Sequence, residues 1–197
     1  MGETIMPVVG FVAPSGTGKA TLVRQVVAVL SGRGLRVGYL KHAHHRFDLD
    51  IPGKDSFEVR EAGARQTLLA SKARWALQVQ NPVQGEDPDL YRMLSRFELE
   101  RLDLILVEGF KHAAYPKIEV HRPTTGEAPL YPGDPAIVAV ATDAPLTVEP
   151  PLVVLPLNTP ETVADFILSR LEDIRLCIAS CAEVAPENRA AVPISRP

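Results

Sequence analysis

The 197 residues suffice for one domain with a full core, and 46% hydrophobic with 23% charged residues is the balance of a soluble globular chain. A net charge of −3 offers no broad cationic surface to nucleic acid or anionic lipid. The start "MGETIMPVVGF" lacks a basic segment followed by a long apolar run, and no stretch approaches the ~20 apolar residues of a membrane span. The expectation is a cytoplasmic protein that binds neither nucleic acid nor membrane.

In chain order, "MPVVGFV" reads as a buried strand ended by a Gly/Pro/Ser-rich turn. From Lys19 to Leu30 the residues Leu22, Val23, Val26, Val27, Val29 and Leu30 recur at helical spacing, and "SGRG" stops the helix. "RVGYL" is a second strand, so the opening is a βαβ unit whose crossover implies a parallel pair. An irregular polar segment, "KHAHHRFDLDIPGKDS", follows. Asp55 with Glu58 three residues on predicts a capping box opening a helix over "SFEVREAGA". "TLLAS" and "WALQVQ" predict an antiparallel pair of strands at the sheet's edge. "DPDLYRMLSRFELERL" predicts a helix capped by Asp87, started by Pro88 and turning Leu90, Leu94 and Phe97 to one face. "DLILVEGF" is an apolar strand ending in a carboxylate, and "PKIEVH", "AIVAVATD" and "PLVVLPL" supply three more. "TPETVADFILSRLEDIRL" predicts a last helix capped by Thr159 and started by Pro160, with Val163, Phe166, Ile167, Leu171 and Ile174 inward.

The expectation is a single α/β domain over residues 1–176, with 177–197 a helix end and frayed tail. Cys177 and Cys181, the two cysteines, fall four apart on one helical face. Without a nearby histidine they read as packing residues.

"VVGFVAPSGTGKATL" nearly matches G-x-x-x-x-G-K-[ST], the loop that cradles nucleotide phosphates. It follows a predicted strand and opens a predicted helix, the context that supports the motif. Gly16 and Gly18 allow backbone N–H groups to converge on an anion, with Pro14, Ser15 and Thr17 around them. Lys19 brings a compact charge, and the helix N-terminus adds its dipole. Ala13 replaces the first glycine at little cost. Ala20 replaces the hydroxyl that ligates magnesium, and Thr21 is turned ~100° away along the helix. Loop, strand pattern and crossover predict a P-loop NTPase-like three-layer fold with a mainly parallel sheet and at most an edge hairpin.

Glu108 ends an apolar strand at the edge where parallel α/β sheets bind ligands. There it can hold magnesium through a water or polarise an attacking water. Lys41, His42, His44 and His45 fall just after the second strand, at the same edge, with His112 and His121 near other strand ends. These groups suit phosphate contact, a transition metal, or a solvated loop, and the residues leave the three open. Asp48, Asp50 and Asp55 are natural magnesium ligands in a loop facing phosphates, although a helix cap explains Asp55 equally well.

Together "GFVAPSGTGKATL", "VGYLKHAHHRFDLDIPGKDS", "REAGA", "LILVEGFKH" and "PKIEVHR" resemble the MobB family, the molybdopterin-guanine dinucleotide biosynthesis accessory (adapter) proteins. The match runs in order from about Val8 to Arg122. The resemblance implies GTP as the nucleotide; the residues themselves place its contacts over Pro14–Thr21 with Lys41, His42 and His44 nearby, and magnesium at Asp55 and Glu108, with Glu108 the catalytic candidate. The resemblance also implies a homodimer using a hairpin in "TLLASKARWALQVQ", and a MobA-type guanylyltransferase as partner. The molybdopterin cofactor and molybdoenzyme apoproteins are further candidate partners. Such proteins often begin the loop with alanine but carry threonine where Ala20 stands, so slow GTPase activity at best is expected. For a base-reading residue, Asp143 in "ATD" is the candidate. Two rivals use the same features: a small-molecule kinase with Arg60 and Arg65 in a lid, and a metal-delivering module built on the histidine loop.

Overall fold

The structure, a computed structural model, describes residues 3–43, 47–81 and 87–179. One compact unit takes the chain up to His42 and from Pro88 onward; the other is Ala43–Asp87.

In the first unit, β1 (Glu3–Val12) leads through a glycine loop into α1 (Lys19–Gly32), which returns the chain to β2 (Val37–Lys41). After the second unit come α3 (Leu90–Leu94), β5 (Leu104–Glu108), β6 (Lys117–His121), β7 (Ile137–Thr142), β8 (Val153–Pro156), α4 (Pro160–Ser169) and β9 (Arg175–Ala179). The strand order is β2-β5-β1-β6-β7-β8, every pair parallel, with β9 antiparallel to the first half of β1.

Strand residues alternate between two cores because successive side chains point to opposite faces. Val9, Phe11, Leu104, Leu106, Ile118 and Val120 join Leu22, Val23, Val26 and Leu30 of α1 and Val163, Ala164 and Ile167 of α4. Met6, Val8, Ile105 and Val107 face the other way, onto Leu90 and Leu94 of α3 with Leu99, Phe110, Tyr115 and Ile178. Helices therefore flank the sheet on both sides, and the α/β layering expected from the sequence holds.

Two buried charges lock the segments around β6. Lys117 pairs with Asp134 at 2.6 Å and donates to the carbonyls of Lys111 and Ala113. Glu119 accepts from the backbone N–H groups of Leu130 and Tyr131, both at 2.8 Å. Each is satisfied, as a buried ion must be.

The second unit holds α2 (Asp55–Glu61) and an antiparallel pair, β3 (Gln66–Ala70) and β4 (Trp75–Val79), in register Leu68↔Leu77. This hairpin forms a two-stranded sheet of its own, not an extension of the parallel sheet. The pairing agrees with the sequence reading; its placement at the main sheet's edge is corrected.

Other boundaries also shift. Asp55 is the first residue of α2, and Lys54 holds the cap position without a side-chain bond. Asp89, not Asp87, caps α3 by accepting from the N–H of Arg92 at 2.7 Å. The last helix stops at Ser169, well short of Leu176. The Arg170 N–H turns back onto Ile167, and Arg175–Ala179 becomes a strand because the first half of β1 needs a partner. Cys177 therefore sits on a strand, exposed, rather than on a helical face. Cys181 and the expected tail lie outside the described residues. No helix among those described is long and apolar enough to cross a membrane.

Gly10 marks the tightest packing around β1. A Cβ built there would fall 2.6 Å from ring atoms of Tyr115, whose hydroxyl donates to the Gly109 carbonyl. Gly10→Ala must push that ring aside. Urea unfolding should show a loss of about 1–3 kcal/mol, the usual cost of overpacking.

Candidate functional site

The glycine loop between β1 and α1 is built by its dihedrals. Gly16 and Gly18 both adopt the left-handed region, at φ 81° and 89°. Nothing lies within 4 Å of a Cβ on Gly16, so conformation rather than space selects glycine there. Thr17 is buried and its hydroxyl donates to the Pro14 carbonyl at 3.1 Å, which closes the loop from inside. Its side chain is thus committed to the loop, and only its backbone remains for a ligand. Ala13 packs against the core, where a small residue fits.

The 14-residue α1 opens with no side-chain cap and no acidic residue in its first turn. Its first intrahelical bond runs from Leu22 N–H to the Gly18 carbonyl. The N–H groups ahead of Leu22 have no partner within the helix, which makes this end suited to an anion. Ser15, Gly16, Ala20 and Thr21 are exposed around it. Lys19 is half-buried. Burial pushes its ammonium below the usual lysine pKa; Glu108 opposes that shift, and Lys41 and Lys111 reinforce it.

Sheet register brings the next groups to the same edge. Glu108 ends β5 opposite Phe11 of β1 and Lys41 of β2. Its side chain is only 9% exposed, yet both oxygens meet donors. The Tyr39 hydroxyl donates to Oε2 at 2.6 Å, and the Lys41 ammonium stands 3.4 Å from Oε1. Burial and then the Glu108 contact push the Tyr39 phenol well above its ordinary pKa, so it stays a donor.

Beyond Glu108 the chain bends sharply. Gly109 has φ 97°, and a Cβ there would lie 2.8 Å from the His42 Cβ. Phe110 follows at φ 50°, a conformation costing a non-glycine residue about 1–2 kcal/mol. Its burial and a stack on His42, centroids 4.7 Å apart, offset that strain. Strained backbone of this kind gathers where groups must be held in place.

On the other side of the loop stands Arg122, which the sequence reading did not single out. It follows β6, donates from Nε to the Thr17 carbonyl at 3.3 Å, and pairs through NH1 with Asp143 Oδ2 at 2.6 Å. Asp143, the candidate base reader, is thus tied through Arg122 to the glycine loop. Lys111 also escaped the sequence reading, although "EGFKH" placed it just past the carboxylate. A basic residue within three positions of a strand's end at the ligand edge was the available signal for both.

The structure therefore gathers Pro14–Thr21, Lys41, His42, Glu108 and Asp143 at or beside one sheet edge. His121 is buried there at the end of β6, and His112 is exposed. Asp55 belongs to the other unit, in the first turn of α2. Arg60 in that unit pairs with Asp48 and lies over the Phe57 ring. His44 and His45 lie outside the described residues. Among those described, no group of three or more His, Cys, Asp or Glu side chains is placed to hold a metal ion.

A parallel sheet between helices, with a glycine loop opening the first of them and a carboxylate ending the neighbouring strand, defines an α/β protein of the P-loop NTPase-like type. Known proteins narrow this. The family described as "Molybdopterin guanine dinucleotide synthesis protein B", MobB, matches residues 8–143, and the chain belongs to it. A molybdopterin-guanine dinucleotide biosynthesis adapter protein of Escherichia coli is 44% identical over 87% of this chain and 97% of its own. The similarly named protein of Haemophilus influenzae is 38% identical over 82% and 88%. The crystal structure of Bacillus subtilis MobB superposes with a TM-score of 0.66 at 26% identity, covering 84% of this chain and 98% of that one.

The Tyr39–Glu108 contact yields a direct test. Tyr39→Phe removes a donor from a buried carboxylate and should lower stability by about 1–2 kcal/mol in urea unfolding, since hydrogen bonds to charged groups exceed neutral ones. Lys41→Ala should cost under about 1 kcal/mol, because that ammonium is half-exposed.

Proposed function

We propose that this chain binds GTP by its phosphates at the loop from Ala13 to Lys19 and acts as a homodimeric adapter for a MobA-type guanylyltransferase in the assembly of molybdopterin guanine dinucleotide. The observation that carries the phosphate site is the uncapped start of α1, with two left-handed glycines before it and Lys19 within it. Family membership supports the guanine nucleotide, the pathway and the transferase. The molybdopterin cofactor and molybdoenzyme apoproteins are further partners on this reading.

Hydrolysis is weak or missing. Ala20 brings no oxygen to the site. Each Glu108 oxygen already meets a donor. This donor set fits a magnesium ion poorly, so binding depends chiefly on backbone N–H groups and Lys19. A kinase reading gains nothing here, because Arg60 is paired within the other unit.

The dimer reading is supported by the hairpin. Register Leu68↔Leu77 and Ala70↔Trp75 places Leu68, Trp75, Leu77 and Val79 on one face. Leu68 is 62% exposed and Trp75 53%. A two-stranded sheet is marginal alone, and covering this face against a second copy would stabilise it.

Calorimetric titration of the full chain should give tighter binding of GTP than ATP, changed little by magnesium and strengthened by the transferase. Equal affinities would remove the guanine preference from the reading, and no binding would overturn it whole. Ala20→Thr should raise magnesium-dependent turnover; an unchanged rate would clear Ala20 of limiting it. In sedimentation, Leu68→Asp with Leu77→Asp should shift a dimer to monomer. A wild-type monomer would remove the dimer from the proposal.

A further inference from the structure

We infer that Arg122 is a positioning residue that sets selectivity for guanine over adenine by holding the glycine loop and Asp143 in one frame. The inference rests on the nucleotide reading above. It begins with strand order. β1, β6 and β7 are parallel neighbours, so the glycine loop, Arg122 and Asp143 follow three consecutive strand ends. Two strand spacings, about 10 Å, separate the ends of β1 and β7. The span of a nucleoside from its 5′-phosphate to the far edge of its purine is of that order. A nucleotide gripped at the loop can therefore bring its base to the end of β7.

Arg122 bridges that gap. Nε donates to the Thr17 carbonyl at 3.3 Å, and NH1 to Asp143 Oδ2 at 2.6 Å. NH2 lies 3.6 Å from the point where a Cβ on Gly18 would begin. One guanidinium can serve both partners because its donors form a rigid planar fork; a lysine, a single flexible point charge, cannot. Among the described residues the second oxygen of Asp143 carries no hydrogen bond, while the first is fixed by Arg122.

The chemistry of the bases supplies the selectivity. Guanine's Watson–Crick edge presents two adjacent donors, N1–H and the N2 amino group, which a carboxylate can accept together. Adenine presents an acceptor at N1 and leaves the carboxylate unmatched. Sites that accept hydrogen bonds from a substrate reject analogues lacking the donors far more strongly than apolar pockets reject a missing methylene. Such discrimination needs the carboxylate at a fixed place relative to the phosphate grip, since misplacement by an ångström loses most of a hydrogen bond. Arg122 fixes that relation.

The test is calorimetry of the full-length wild type, Arg122→Ala, Arg122→Lys and Asp143→Asn with GTP, ATP and inorganic tripolyphosphate. Thermal unfolding confirms that each variant folds. The ratio of GTP to ATP affinity should fall at least about tenfold in both Arg122 variants and in Asp143→Asn, as expected when a donor-matched site is misaligned. Tripolyphosphate affinity should change less than about threefold, because the loop's own N–H groups and Lys19 still hold it. The double variant Arg122→Ala with Asp143→Asn should lose little more than either single one, since both break the same contact. Equal losses for all three ligands would make Arg122 a simple phosphate cation and overturn the inference. So would an unchanged ratio. A wild type that binds tripolyphosphate without preferring GTP overturns the base selectivity alone; one that binds none of the three overturns the nucleotide reading as well. Should Arg122→Ala fail to fold, Arg122→Lys decides.

Discussion

Pairing of β1 on both sides places everything at the candidate site. Val8–Phe11 bond to Ile105–Glu108 of β5, and Gly10–Val12 to Lys117–Glu119 of β6. Neither neighbour is next in sequence, so the chain leaving β1 must cross over through α1 to reach β2 on the far side of β5. That crossover sends the chain into a sharp turn at the carboxyl edge, where the glycine dihedrals and the open helix end become available together. The same pairing sets Glu108 opposite Phe11, while Arg122 emerges one strand over on the other flank. Strand order thus decides the site's membership, and local sequence decides only its chemistry.

Three charged side chains buried near this edge have different tasks. Lys117 is closed off by Asp134 and two carbonyls, and Glu119 by two backbone N–H groups. Removing a partner from either would leave a charge stranded in the core, so both belong to the scaffold. They hold the segments on either side of β6 and thereby fix where Arg122 begins. Glu108 differs. Its partners Tyr39 and Lys41 are exposed side chains, whereas those of Lys117 and Glu119 are chiefly backbone groups. It is the buried charge whose partners border solvent.

Much of this was legible in the sequence because the signals were local. The glycine string, the apolar run ending in Glu108 and the helical spacing from Leu22 to Leu30 each sit within a dozen residues and carry their own periodicity. Failures came where a distant partner decides. Leu171 and Ile174 continue the helical spacing past Ser169, yet the unpaired half of β1 draws the following residues into β9. There Leu176 and Ile178 turn inward at a strand's period of two. Asp55 and Asp87 were reasonable caps by composition, but helix entry was set one or two residues away. The β3–β4 pairing was readable from alternation; its separation from the parallel sheet was not, since sequence says nothing of which edge a hairpin joins. Arg122 was hidden for the same reason. A lone arginine after a strand gains meaning only when the order β1-β6-β7 puts a loop carbonyl on one side of it and a carboxylate on the other.

The division between backbone and side chain bears on the departure at Ala20. The parts of the loop suited to an anion are backbone N–H groups, set by Gly16, Gly18 and the start of α1, and none depends on the side chain at position 20. On the proposed reading Lys19 faces the phosphate charge, with Lys41 and Lys111 close enough to help lower its pKa. Only metal ligation would have required a hydroxyl at position 20. Under that reading, its absence takes one oxygen from the chemistry of turnover and leaves the backbone geometry of the loop unchanged. On the proposed reading this suits an adapter: a nucleotide that is held rather than hydrolysed can report its presence through Arg122 to the end of β7. The loop then works as a fixed grip, and the side chains around it decide what is gripped.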